Sequence, residues 1–171
     1  NRIGGIMITI DGGTGTILHN GTNYKSGGAI QTVNTHKTDG FTTTSTDVSS
    51  SPKGVAVTGF TASITPTSAS NKVLVRAVFG MSNSNAGYYS YAYLYRGTTE
   101  LGGATIKGES GGGAIETVVI ERLDTPNTTS STTYSIRLAG EGNTAKIGDT
   151  SSGGTQDNVN DSTLTLMEIA A

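Results

Sequence analysis

Cysteine and tryptophan are absent from the 171 residues, proline occurs three times and histidine twice. Without cysteine there is no disulfide framework and no thiolate zinc site. Charged residues make up only 14%, with a formal net charge of −2 and a pI near 5.6. That balance provides no basic face for nucleic acid. No apolar run approaches the ~18 residues of a membrane-spanning helix, and nothing at the N-terminus reads as a secretory signal. We therefore expect neither nucleic-acid binding nor membrane insertion. Glycine has no period of three, which excludes collagen.

What is present is small and hydroxylated: 25 Gly, 29 Thr and 18 Ser. Ile, Val, Leu and Phe together number only 34. That share lies near the border of disorder, but disorder also calls for a high net charge. The apolar residues are gathered in short alternating runs instead. No segment has a helical period, and Val, Ile, Thr and Tyr fill the runs, as a pleated surface prefers. The expected fold is all-β: an antiparallel β-sandwich of jelly-roll type, thin in core material, preceded by a short β-rich segment.

Two regions are distinguished. In residues 1–27, Ile6, Ile8 and Ile10 alternate with Met7 and Thr9, and glycine turns follow every few residues. Strands this short suit a stalk in which several chains wrap together. Residues 28–171 read as the head domain. Its expected strands cover 29–35, 55–65, 72–82, 88–96, 101–107, 115–123, 132–139, 145–148 and 163–169. Val73, Val75, Ala77, Phe79 and Met81 share one face of the clearest strand. A Thr/Ser-rich stretch over 39–53 reads as a long polar connection, and Gly97-Thr98 as a hairpin turn.

Motifs with catalytic associations are weak. Gly108-Glu109-Ser110-Gly111-Gly112 matches a nucleophile elbow, but a strand follows it and both His19 and His36 precede it, the reverse of the required order. Asp11-Gly12-Gly13-Thr14-Gly15 lacks the lysine and helix of a phosphate cradle. Glu116 and Glu121 are five apart on one strand, so they point to opposite faces and do not form a glycosidase pair. No catalytic residue is assigned, and the chain is read as a non-enzyme. Asp149, Asp157 and Asp161 are weak candidates for a structural calcium ion, since hard cations take several oxygen ligands from loops.

The strongest local feature is a tyrosine row. Tyr89, Tyr91, Tyr93 and Tyr95 fall on one face of one strand, with Tyr88 on the other. Such a row fills a sheet interior or a subunit contact, or presents ring faces to a saccharide. With Asn83, Asn85, Asn127 and Asn158 in polar loops, these are the candidate receptor or trimer contacts.

Several stretches carry a resemblance. They are Ser70-Asn71-Lys72-Val73-Leu74-Val75 after Ile64-Thr65-Pro66, Tyr93-Leu94-Tyr95-Arg96-Gly97-Thr98, Leu123-Asp124-Thr125-Pro126 before Thr132-Thr133-Tyr134, and the ending Ser162-Thr163-Leu164-Thr165-Leu166-Met167-Glu168-Ile169-Ala170. In this order they resemble the C-terminal head domains of bacteriophage tail fibres and related virion appendages of marine phages. The likeness covers residues 28–171, and residues 1–27 are similar to the end of a fibre shaft. A fainter likeness links the chain to trimeric jelly rolls of the complement-C1q and tumour-necrosis-factor type. The resemblance implies a homotrimer on an extracellular virion, assembled in the host cytoplasm. Other virion proteins would bind its N-terminal segment. The head would attach to a bacterial surface glycan or protein. Capsid decoration or a collar role without a receptor is the alternative, and glycan depolymerisation a more distant one.

Overall fold

The computed structural model describes residues 8–11, 16–19, 22–23, 29–108, 115–148 and 161–171. Its strands are β1 (Ile8–Asp11), β2 (Thr16–His19), β3 (Thr22–Asn23), β4 (Ala29–Lys37), β5 (Phe41–Thr43), β6 (Val55–Ile64), β7 (Lys72–Asn83), β8 (Tyr89–Arg96), β9 (Thr99–Lys107), β10 (Glu116–Asp124), β11 (Thr132–Gly140), β12 (Ala145–Ile147) and β13 (Ser162–Ile169). No helix occurs among the described residues. β1, β2 and β3 pair with one another as a small antiparallel meander.

The remaining strands form a sandwich of two antiparallel sheets. In the first, β7 is the central strand. β10 lies along one side of it, with Val118 opposite Phe79. β13 flanks the first part of its other side, with Leu164 opposite Ala77, and β12 the last part, with Ala145 opposite Asn83. β4 then pairs with β13, and β5 with β12. The second sheet runs β6-β11-β8-β9. With the two short strands β5 and β12 set aside, eight long strands remain. Numbered in chain order, they lie as 1-8-3-6 in one sheet and 2-7-4-5 in the other. The first long strand pairs with the last, and among these eight the chain crosses between sheets at every connection but one, the β8–β9 hairpin. That is a jelly roll.

Alternation explains the core. Val73, Val75, Ala77, Phe79 and Met81 all point inward from β7 and are buried, as the sequence spacing predicts. They meet Phe60, Ala62 and Ile64 of β6, Ile136 and Leu138 of β11, and Leu164 and Leu166 of β13. Phe60 and Phe79 pack edge to face with centroids 5.7 Å apart, a favoured aromatic geometry. Val57 and Phe60 are three apart yet both inward. The register with β11 slips between Ser135 and Arg137 here, and Gly59 adopts a φ of 75°, so a bulge resets the alternation. Gly97 opens the β8–β9 hairpin with φ 55° at the first central position, where an L side chain is disfavoured.

The stretch read as a plain connection over 39–53 is corrected in part. It contains β5, which pairs with β12 through Phe41 opposite Ile147. The rest of it, with Gly54, folds across the outer face of the second sheet. Gly140 N donates to Ser45 O at 2.7 Å, and Gly54 N to Asp47 O at 2.8 Å. Arg137 donates to Lys53 O and Gly54 O at 2.7 and 2.6 Å.

Candidate functional site

The strand register sorts the loops into two ends. One end carries the start of β4, residues 65–71, the Gly97-Thr98 hairpin and the 125–131 connection. The chain therefore enters its first long strand there. The opposite end carries residues 84–88, the end of β9, the start of β10 and residues 141–144. We call the second the far end.

The tyrosine row is divided between cover and exposure. Ser90, Ala92 and Leu94 are the inward residues of β8, so all four tyrosines of the row face outward. Tyr93, Tyr95 and Ala139 make a small apolar cluster of their own on this face. Residues 44–54 close over it. Lys53 N donates to Tyr95 Oη at 2.8 Å, Lys53 Nζ stands 5.3 Å over the Tyr93 ring, and Arg137 lies 5.7 Å over Tyr95. Tyr95 is 1% exposed as a result. Burial first, then the nearby Glu100 carboxylate, raises the Tyr93 hydroxyl above its ordinary pKa. Tyr93 and Tyr95 are thus covered by residues of their own chain.

Toward the far end the cover stops. Tyr91 is half-buried, and Tyr89 is 37% exposed. Their ring centroids are 6.2 Å apart, and Tyr91 and Tyr93 lie nearly parallel at 6.5 Å. Lys107 Nζ sits 5.6 Å over the Tyr89 ring, within cation–π range. Tyr88 is also exposed and lies beside Gly142, where φ is 71° and an added Cβ would be 3.5 Å from the ring.

The loops around these rings are bound to one another. Gly87 N donates to Gly108 O and Gly108 N to Tyr88 O, each at 2.8 Å. Ser84 N donates to Thr144 O at 2.9 Å, and Glu141 N to Tyr89 O at 2.8 Å. Gly108 has no room for a side chain, since a Cβ would come within 2.4 Å of Asn85 O. Asn85 Nδ2 bridges to Asn143 Oδ1 at 3.1 Å on the surface. The far end is therefore a fixed surface of two exposed rings, a lysine and two amides. Tyrosine supplies rigid amphipathic contact area at low entropic cost, and amides supply adaptable hydrogen bonding.

The other expected residues divide as follows. Asn83 is buried: its Nδ2 donates to Tyr89 O and Ser90 Oγ, and its Oδ1 accepts from Asn85 N. It positions the far-end loop and offers no surface contact. Asn127 lies at the end where the chain enters, in a left-handed turn with φ 53° that asparagine tolerates. Asp161 pairs with His36 at 3.0 Å. Asp149, Asp157, Asn158 and Ser110 lie outside the described residues, and among the described residues no three His, Asp or Glu side chains converge on a metal position. Glu121 sits opposite Arg76 on the outer face of the first sheet, apart from Glu116 opposite Met81.

Sequence reading did not bring Lys107 to Tyr89 or Asn143 to Asn85, because the partners come from different loops or strands. It also missed two buried carboxylates at the other end. Asp124 receives Arg96 Nη1 at 2.9 and 2.8 Å and the Tyr134 hydroxyl at 2.7 Å. Burial, reinforced by this bond, pushes the Tyr134 hydroxyl far above its ordinary pKa. Glu168 is the second, fully enclosed between β4 and the β6–β7 connection. Alternation along β13 was the signal that marks it as inward.

No family model matches this chain, and no curated protein matches it in sequence. Among solved structures it is similar to the Gt strain of infectious bursal disease virus, at 14% identity and a TM-score of 0.42 over 99% of this chain and 44% of that one. The VP2 subviral particle of the same virus gives 12% identity and a TM-score of 0.41 over 99% and 44%. A Bacillus endospore appendage pilus gives 12% and 0.32 over 85% and 98%. The chain spans less than half the length of the viral chains it matches. At these scores the jelly-roll assignment rests on the strand pairing described above.

Proposed function

We propose that this chain is the head domain of a virion appendage, a homotrimer that attaches to a bacterial surface through its far end. The observation that carries this reading is the placement of the exposed ring and amide surface opposite the end where the chain enters. A shaft formed by residues 1–27 and leading into β4 would hold Tyr88, Tyr89, Asn85 and Asn143 outward. The ligand class is a surface saccharide: ring faces stack on sugar CH groups while Lys107 and the amides meet hydroxyls. Three heads per fibre convert weak single-site binding into firm attachment.

The experiment is a binding screen of the whole chain against bacterial cells and surface glycans, repeated with Tyr88→Ala/Tyr89→Ala. Loss of two exposed aromatic anchors should weaken attachment by about thirtyfold or more, the scale of an aromatic hot spot. Unchanged attachment would remove the far end as the receptor surface. Absence of any binding, with the protein located on the capsid surface of the particle, would favour decoration.

A further inference from the structure

The two outward faces of the sandwich are treated differently by the chain. Residues 44–54 lie over the outer face of β6-β11-β8-β9. The outer face of β4-β13-β7-β10 keeps large apolar side chains in the open. Register places them in rows. Met167, Leu74 and Leu123 form one row, and Thr163, Val78 and Val119 another. Between them runs a row of Thr165, Arg76 and Glu121. Val119 and Leu123 are each 50% exposed, and Ile30 on β4 is exposed nearly as much. Single exposed apolar residues are ordinary on any protein, whereas several of them gathered on one sheet face mark a contact surface.

We propose that this face is where copies of the chain pack on one another, which rests on the homotrimeric reading above. Three observations point to a second copy as the occupant. The central row carries opposite charges side by side, Arg76 and Glu121 at 3.8 Å and both about half exposed. Around a threefold axis the Arg76 of one copy can meet the Glu121 of the next, a head-to-tail contact that closes as a ring. The apolar rows on either side supply the surface such a contact would bury. Finally, β4 begins in this sheet, so copies joined here bring the starts of their first long strands to a shared face, as a common stalk requires. The thin core agrees: a chain with few large apolar residues leaves several of them uncovered on one sheet.

Sedimentation equilibrium of the whole chain tests this. The wild-type protein should give about three times 17.4 kDa. Val119→Glu/Leu123→Glu should give 17.4 kDa, with the β-sheet circular dichroism of the wild type. Val48→Glu, at a valine 40% exposed on the covering segment, should leave the assembly intact. A wild-type monomer would overturn both this inference and the trimer. A trimer that survives the double substitution, or one that Val48→Glu also breaks, would overturn the inference alone. Should the double variant fail to fold, single thiols decide, because the chain has no cysteine of its own. Val119→Cys should react with a maleimide about tenfold more slowly than Val48→Cys, since access governs thiol reactivity. Equal rates would overturn the proposal.

Discussion

Replacing Glu168 by glutamine tests how the jelly roll is closed. Ser162, Leu164, Leu166 and Glu168 all turn inward from β13, so the last position carries a carboxylate into the sandwich. Four hydrogen bonds meet it. Gln31 Nε2 reaches one oxygen at 2.6 Å, and Thr67 N, Thr67 Oγ1 and Asn71 Nδ2 reach the other at 2.7, 2.8 and 2.6 Å. Burial pushes this carboxyl up, but the bonds from Asn71, Gln31 and Thr67 outweigh it and hold the pKa at about 2, against 4.5 for the free group. The folded pKa is the lower one, so the stabilisation is complete above pH 4.5 and is lost as pH falls through about 2. A gap of ~2.5 units corresponds to ~3 kcal/mol. Thr67 is open to solvent, and screening there brings the expectation down to about 2 kcal/mol. Glutamine can keep the three donors on its oxygen. Its amide nitrogen, however, faces Gln31 Nε2, a donor that also serves Thr65 O at 2.7 Å. Turning the Gln31 amide round would leave Thr65 O without that bond. Urea unfolding at fixed protein concentration should therefore show Glu168→Gln less stable by about 2 kcal/mol at pH 7, or roughly 4–8 °C in Tm. The gap should close as the buffer approaches pH 2. A gap that is absent at pH 7, or that stays constant down to pH 2, refutes the reasoning.

Other substitutions probe the remaining anchors. Asp39→Ala removes the carboxylate that meets Lys37 Nζ at 2.8 Å, where the lysine side chain is 1% exposed. A buried ammonium without its partner is costly, but Asp39 itself is exposed, so about 1–2 kcal/mol should be lost in thermal unfolding at pH 7. The Lys37 hydrogen bond is the main cause that holds the Asp39 carboxyl below 3.8, so this loss should fade below that pH. Gly54→Ala meets both a φ of 61° and a Cβ only 2.6 Å from Leu138 O. It should cost about 2 kcal/mol or more and loosen residues 44–54, seen as a change in tyrosine fluorescence that no tryptophan obscures. Tyr134→Phe deletes the 2.7 Å bond to Asp124 and should cost about 1–2 kcal/mol, with the far-end binding surface unaffected.

The legible part of this fold is the part governed by period two. Alternation from Val73 to Met81 places the inward face of β7 correctly, and the same spacing puts four tyrosines on one side of β8. Alternation does not say which side is the core. A row of rings suits a sheet interior, a subunit contact or a ligand platform alike, and the inward positions of β8 are in fact Ser90, Ala92 and Leu94. The reason lies across the sandwich, where Phe60, Phe79 and Met81 already fill the space. The tyrosines are left on the outer face, and a Thr/Ser-rich stretch with no periodicity covers half of them. Its hold is made by backbone groups, Lys53 N to Tyr95 Oη and Ser45 O to Gly140 N, which leave no mark in side-chain pattern. Asn83 errs in the opposite direction: a polar residue in a loop reads as exposed, but three hydrogen bonds let it be buried. The far-end surface was half visible for the same kind of reason. Tyr89 and Asn85 stand out along the chain, but Asn143 joins Asn85 from 58 residues away only because β11 returns beside β8. In a jelly roll nearly every connection crosses between sheets, so neighbours at the ends of the sandwich are set by topology. An attachment surface built there is assembled from loops whose meeting no local spacing encodes, while the apolar rows of β7, β10 and β13 that we assign to self-association follow from alternation once their pairing is known.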